Sequence, residues 1–198
     1  MERMNSKGSD NMPDKLFTIV AGVNGVGKST YIARLCENPN TLGYIIDPDQ
    51  LAVKYGNIIA GGRKALQEID NCIRDGISFT EETTLSGKHV ADTILKAKAN
   101  GYTVNMIYIG LNSAEESIAR VAERVRKGGH YIPDDIIRRR FNTRYDALQR
   151  VLFLFDYAGF YDNTYDYKLI AEYSNKAIRK IVDEYPVWMA ELESILYI

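Results

Sequence analysis

One octapeptide restricts this chain more than any other feature: Gly22-Val23-Asn24-Gly25-Val26-Gly27-Lys28-Ser29 has the spacing Gly-x-x-x-x-Gly-Lys-Ser. A β-rich apolar run over 16–21 precedes it, and a helical pattern over 28–36 follows. A glycine loop between strand and helix can turn successive backbone N–H groups inward, and the helix N-terminus adds its positive end. Together they cradle a polyphosphate such as that of ATP or GTP. Gly22, Asn24, Gly25, Val26 and Gly27 would form the loop, and Lys28 would add a mobile cation. Ser29 would be the hydroxyl for a Mg²⁺ bridging two phosphates, with Thr30 beside it in the first helical turn. A cradle of this kind implies nucleotide binding and leaves the reaction open.

The remainder of the chain repeats the strand-then-helix pattern. Further strand candidates lie at 44–46, 77–80, 103–111 and 167–171, five in all, and helical patterns at 62–74, 88–100, 114–127 and 133–155. This alternation predicts βαβ units and a mostly parallel sheet of an α/β protein. The nearly continuous apolar run over 104–109 suits a strand covered on both faces. A last helix over 186–198, with Trp188 and Leu192, is expected on the sheet edge. At 198 residues the chain suits one domain from residue 16 onward, with the polar segment 1–15 read as a disordered leader. A net charge of −1 removes the global basic field that would hold nucleic acid or anionic lipid. Two cysteines, Cys36 and Cys72, cannot make a disulfide framework, and no apolar run is long enough to span a bilayer. A cytoplasmic location, with no membrane and no nucleic-acid partner, is therefore expected.

Three further segments bear on the reaction. Asp47-Pro48-Asp49 follows a strand, at the sheet end where α/β proteins place ligands. Either carboxylate could take a proton from an acceptor hydroxyl, and Asp49 also suits a helix N-cap. Glu81 and Glu82 end the next strand, where neighbouring residues point to opposite faces, so only one can face the phosphates. The segment 120–144 carries eight Lys and Arg residues against three acidic ones, with Gly128-Gly129-His130 as a flexible break. Arginines on such a segment could close over a triphosphate as a lid.

With the cradle, Asp47-Pro48-Asp49, Glu82-Thr83-Thr84-Leu85-Ser86-Gly87 and Arg124-Val125-Arg126-Lys127-Gly128-Gly129-His130 through Pro133 in this order, the chain resembles the zeta-toxin family, and within it the small stand-alone branch. The resemblance runs from about residue 16 to residue 171. It implies a kinase-like, three-layer P-loop fold with a helical lid at about 120–144. It also implies transfer of the γ-phosphate of ATP or GTP, with Mg²⁺, to a hydroxyl of a UDP-amino sugar, typically UDP-N-acetylglucosamine. An antitoxin protein is the implied partner. The family's phosphate lysine falls on Lys28, its base on Asp49, its second acid on Glu82 and one phosphate-contacting arginine on Arg124, while Arg126 or Arg140 would stand for the other lid arginine. Two other classes share the cradle: a nucleotide-binding regulatory module or NTPase, and a polynucleotide-kinase-like enzyme using Arg138-Arg139-Arg140.

Overall fold

The computed structural model describes residues 15–37, 42–87 and 89–196; residues 1–14 of the expected leader lie outside it. The apolar run ahead of the glycine loop is β1 (Leu16–Ala21), and Lys28 opens α1 (Lys28–Leu35). There follow β2 (Tyr44–Ile46), α2 (Pro48–Tyr55), α3 (Ile58–Asp75), β3 (Phe79–Thr83), α4 (His89–Ala99) and β4 (Thr103–Gly110). The second half holds α5 (Ala114–Arg126), α6 (Asp134–Asn142), α7 (Arg144–Gln149), β5 (Tyr157–Asp162), β6 (Lys168–Ser174), β7 (Ala177–Lys180) and α8 (Val187–Leu196).

The strands form one sheet in the order β2-β3-β1-β4-β5-β6-β7, parallel from β2 to β5 and antiparallel for β6 and β7. The mostly parallel sheet expected from the sequence is present, with seven strands instead of five. β5 went unread because Gly159 interrupts its apolar run and the preceding helical pattern reached Phe155. That long helix, expected over 133–155, breaks instead at Thr143, whose hydroxyl donates to the Arg139 carbonyl at 3.0 Å, and again after Gln149. Asp156 then ties the start of β5 to the sheet by accepting the Val104 N–H at 2.8 Å. β7 is a short, largely exposed edge strand with too little apolar character to read. It is joined to β6 through Asn175 and Lys176 at φ of 51° and 62°, the two positive values of a type I′ hairpin turn.

Alternation along β1 builds the layers. Phe17, Ile19 and Ala21 pack with Ile69 of α3, Ile94 of α4 and Leu148 of α7 on one face. Val20 packs with Ile32 of α1, Ala114 of α5 and Phe141 of α6 on the other. This is the three-layer arrangement the burial of a doubly covered parallel sheet demands. Trp188 of α8 lies fully buried against Tyr108, its ring 5.8 Å from the tyrosine ring, so the last helix covers β4 in mid-sheet and not the edge as expected. A small separate cluster, Val121, Ile132 and Ile137, staples α5 to α6 and gives the arginine-rich segment a core of its own. Among the described residues no helix is long and apolar enough to cross a membrane.

Candidate active site

The glycine loop sits at the carboxyl end of β1, and two distant side chains hold it in shape. Asn163 Nδ2 donates to the Val26 carbonyl and the Tyr167 hydroxyl to the Gly27 carbonyl, each at 2.7 Å. Carbonyls engaged from outside hold the curl in which loop N–H groups can turn toward an anion. Gly27 has φ of +97°, and a Cβ there would lie 2.4 Å from Tyr167 Oη and 2.7 Å from Asn163 Nδ2. Glycine is required for both conformation and space. Sequence reasoning missed Asn163 and Tyr167: they sit on the β5–β6 connection, well over 100 residues away, and carry no local signal. Lys28 is only 6% exposed. Its Nζ donates to the Val23 carbonyl at 3.2 Å and lies 3.7 Å from Glu82 Oε1. Burial pulls the ammonium below its ordinary pKa, and Glu82, Asp49 and Asp47 pull the other way.

The acids separate by role. Asp47 caps α2, accepting the N–H groups of Asp49 at 2.9 Å and Gln50 at 3.2 Å on its Oδ1. The cap is therefore two residues earlier than expected, with Pro48 as first helical residue. Asp49 is freed from capping and lines the cleft opposite the loop. Of the neighbouring pair on β3, Glu82 faces the loop, where its Oε1 accepts the Ser29 hydroxyl at 3.2 Å. Burial raises the Glu82 pKa above the usual carboxylate value, and Lys28 opposes that rise. Glu81 points to the other side of the strand and pairs with His89 at 3.6 Å. Ser29 Oγ beside Glu82 is a set of hard oxygen donors. Among the described residues no cluster of three or more metal-ligating side chains occurs. A Mg²⁺ carried by nucleotide needs only one or two protein oxygens besides phosphate, and these residues suit it.

The arginines of the expected lid part company. Arg124 lines the cleft, and its Nη2 donates to the His130 carbonyl at 2.8 Å. Its Nε is buried and unpartnered among the described residues. Arg120 also lines the cleft but is tied to Glu116 and to the carbonyls of Asn163 and Thr164. Arg126 is turned to solvent and paired with Glu123. Arg140 instead enters the site, donating to Asn24 Oδ1 at 2.7 Å. Arg138 pairs with Glu115 and Arg139 is exposed, so the three consecutive arginines face three different surroundings.

Two cavities meet at this place. One of about 450 Å³ lies between the loop and α5, lined by Asn24, Gly25, Gly27, Thr30, Arg124 and Tyr167 among others. The second, of about 200 Å³, lies beyond it against α3 and β3, with Ile58, Leu66, Ile69, Glu81, His89 and Arg140 in its walls. Lys28, Asp49 and Glu82 line both.

Comparison with known proteins bears on the fold and the family. The sequence is 36% identical over 126 residues to an uncharacterized protein of Haemophilus influenzae, covering 61% of this chain and 88% of that one. Its fold is similar to a solved structure from the PezAT toxin-antitoxin system of Streptococcus pneumoniae, with TM-score 0.62 at 18% identity over 97% of this chain and 88% of the other. The AvrRxo1-ORF1:AvrRxo1-ORF2 complex with ATP matches at TM-score 0.59 and 14% identity, covering 92% of this chain and 63% of that chain. These likenesses show a kinase-like P-loop fold. A zeta toxin sequence model matches residues 61–171, a stretch that includes Glu82, Arg124 and Arg140, and by that match the chain belongs to the zeta toxin family.

Proposed function

We propose that this protein transfers the γ-phosphate of ATP or GTP to a hydroxyl of a small-molecule acceptor. The observation that carries the reading is the sharing of Lys28, Asp49 and Glu82 by two cavities. A donor held by the loop and an acceptor held against α3 would meet across these three side chains. The loop amides, Lys28 and Arg124 neutralise the phosphates and the charge that develops in transfer. Asp49 takes the acceptor's proton as that oxygen bonds to the γ-phosphorus, while the bond to the bridging oxygen breaks and leaves the nucleoside diphosphate. Ser29 and Glu82 would hold a Mg²⁺, which would add charge neutralisation at the phosphates. Arg140, between Asn24 and Asp49, is the cation best placed to complement Arg124.

A UDP-amino sugar such as UDP-N-acetylglucosamine is the acceptor class to try first. An adjoining opening of about 400 Å³, lined by Lys54, Arg124 and His130 as well as by Asp47, Asp49 and Glu82, has room for a further part of such an acceptor. The PezAT neighbour belongs to a toxin-antitoxin system, and a protein inhibitor of this chain is part of the proposal. The dispersal of Arg138, Arg139 and Arg140 weighs against a nucleic-acid acceptor. The test is γ-labelled ATP with a panel of UDP-sugars and nucleosides. Labelled acceptor is expected. Folded protein that binds ATP but labels no acceptor overturns the reading, and steady hydrolysis without acceptor points to an NTPase.

A further inference from the structure

The second cavity contains a carboxylate that the phosphoryl-transfer reading leaves unused. Glu81 is 1% exposed, and its Oε2 is buried without a hydrogen-bond partner among the described residues. Its other oxygen lies 3.6 Å from His89 Nε2. A buried carboxylate with one oxygen unsatisfied carries a desolvation penalty that only a donor can relieve. Strand alternation explains its place: Glu81 follows Phe79 onto the α3 face of β3, whereas Glu82 turns to the loop. Both nonetheless reach the cavity, which straddles the carboxyl end of the strand.

The surroundings define what could supply that donor. Asp47, Asp49, Glu81 and Glu82 line the cavity against Lys28, Arg140 and His89, so an anionic group entering this end would meet an excess of carboxylates. Ile58, Ala65, Leu66 and Ile69 make one wall apolar. At about 200 Å³ the space is below that of drug-sized ligand sites, ~300–1,000 Å³. Gly87 lets the imidazole lie across the chain, since a Cβ there would fall 2.5 Å from His89 Cε1. His89 is thereby kept against Glu81 and away from the phosphate side.

We infer that Glu81, oriented by His89, is a specificity-determining residue for the acceptor: its free oxygen accepts a hydrogen bond from a second donor, hydroxyl or ammonium, on a compact molecule whose neighbouring hydroxyl is phosphorylated. This rests on the kinase reading above. The acceptor end in this cavity is accordingly uncharged or cationic, with one apolar face toward α3.

The experiment measures phosphoryl transfer from ATP by wild type and Glu81→Gln to UDP-N-acetylglucosamine, glucosamine, glycerol and ethanolamine. Glucose 6-phosphate and 3-phosphoglycerate serve as anionic comparators, and ATP binding is followed separately with a fluorescent analogue. Wild type should use UDP-N-acetylglucosamine, glucosamine, glycerol or ethanolamine, whose acceptor ends are uncharged or cationic, in preference to the two comparators with an anionic group beside the acceptor hydroxyl. Glu81→Gln should raise that acceptor's KM about tenfold or more, the loss expected for one hydrogen bond to a charged group, with KM for ATP unchanged. Preference for ethanolamine and glucosamine over glycerol assigns the donor as ammonium, and the reverse assigns it as hydroxyl. An unchanged acceptor KM, or use of the anionic comparators in preference to or without the others, overturns the inference, whereas labelling of no acceptor at all by protein that binds ATP overturns the kinase reading. Loss of ATP binding in wild type itself would likewise defeat the underlying kinase reading. Should Glu81→Gln fail to fold, Gly87→Ala displaces His89 from the surface side and should raise the same KM; no change there also overturns it.

Discussion

The two cavities that share Lys28, Asp49 and Glu82 are built on opposite plans. The larger takes Asn24, Gly25, Gly27, Lys28, Ser29 and Thr30 from one short stretch of chain, whose backbone is proposed to hold the phosphates. The smaller is assembled from Lys28 and His89 with side chains of α2, α3, β3, α6 and the β3–α4 connection, so only its acidic stretches at 47–49 and 81–82 stood out in the sequence. Phosphate has one shape, so a backbone cradle serves it in many proteins. An acceptor is particular, so its walls come from side chains that can vary independently. The division explains why the cradle implies a nucleotide and says nothing about the acceptor.

The largest expected effect strikes the boundary between the cavities. Asp49→Asn should lower kcat by about 10²–10⁴, the range for removing a general base, while ATP affinity stays within about twofold. A parallel loss of ATP affinity, read by calorimetry, would mean that Asp49 belongs to the nucleotide side alone. A smaller effect is confined to the cradle. Tyr167→Phe deletes the donor to the Gly27 carbonyl and should weaken ATP binding about fivefold, near 1 kcal/mol for one hydrogen bond, leaving acceptor KM unchanged. If acceptor KM moved as much, the two sites would not be separable in this way.

The smallest effect belongs to the acceptor side and is one of pH. The Glu81 carboxylate beside its ring raises the His89 pKa above its ordinary value of 6.5, so the folded protein holds that proton more tightly than the unfolded chain. The stabilisation is complete below about pH 6.5 and is lost as pH rises through the higher folded value. His89 is partly exposed, which keeps the effect small. The thermal midpoint should fall slightly more between pH 6 and pH 8 in wild type than in His89→Gln, by differential scanning fluorimetry. Equal slopes would show that the Glu81–His89 pair is not charged in solution.

Much of the parallel half of the sheet was legible because its strands are apolar runs bounded by helical patterns. β5 and β7 were not, since one is interrupted by Gly159 and the other is an exposed edge whose pairing depends on β6. In the site, Lys28, Ser29 and Glu82 sit together as their motifs suggested. Arg126 and Arg140 could not be ranked from sequence. Both lie in helical segments rich in arginine, and only the packing of α6 beside the loop carries Arg140 to Asn24 while Arg126 meets solvent.

By itself the sequence determined the cradle, because its chemistry depends on local backbone freedom and on a helix that starts at a fixed residue. It also determined the alternation of strand and helix, since periodicity is written residue by residue. Tertiary structure alone decided that Asn163 and Tyr167 brace the loop, that Asp47 caps a helix and leaves Asp49 to the cleft, and that Glu81 is buried beside His89. Each of those outcomes depends on which groups share a small space after folding. Contact between residues far apart in the chain, or a competition between two neighbouring carboxylates for one helix end, has no signature in local spacing.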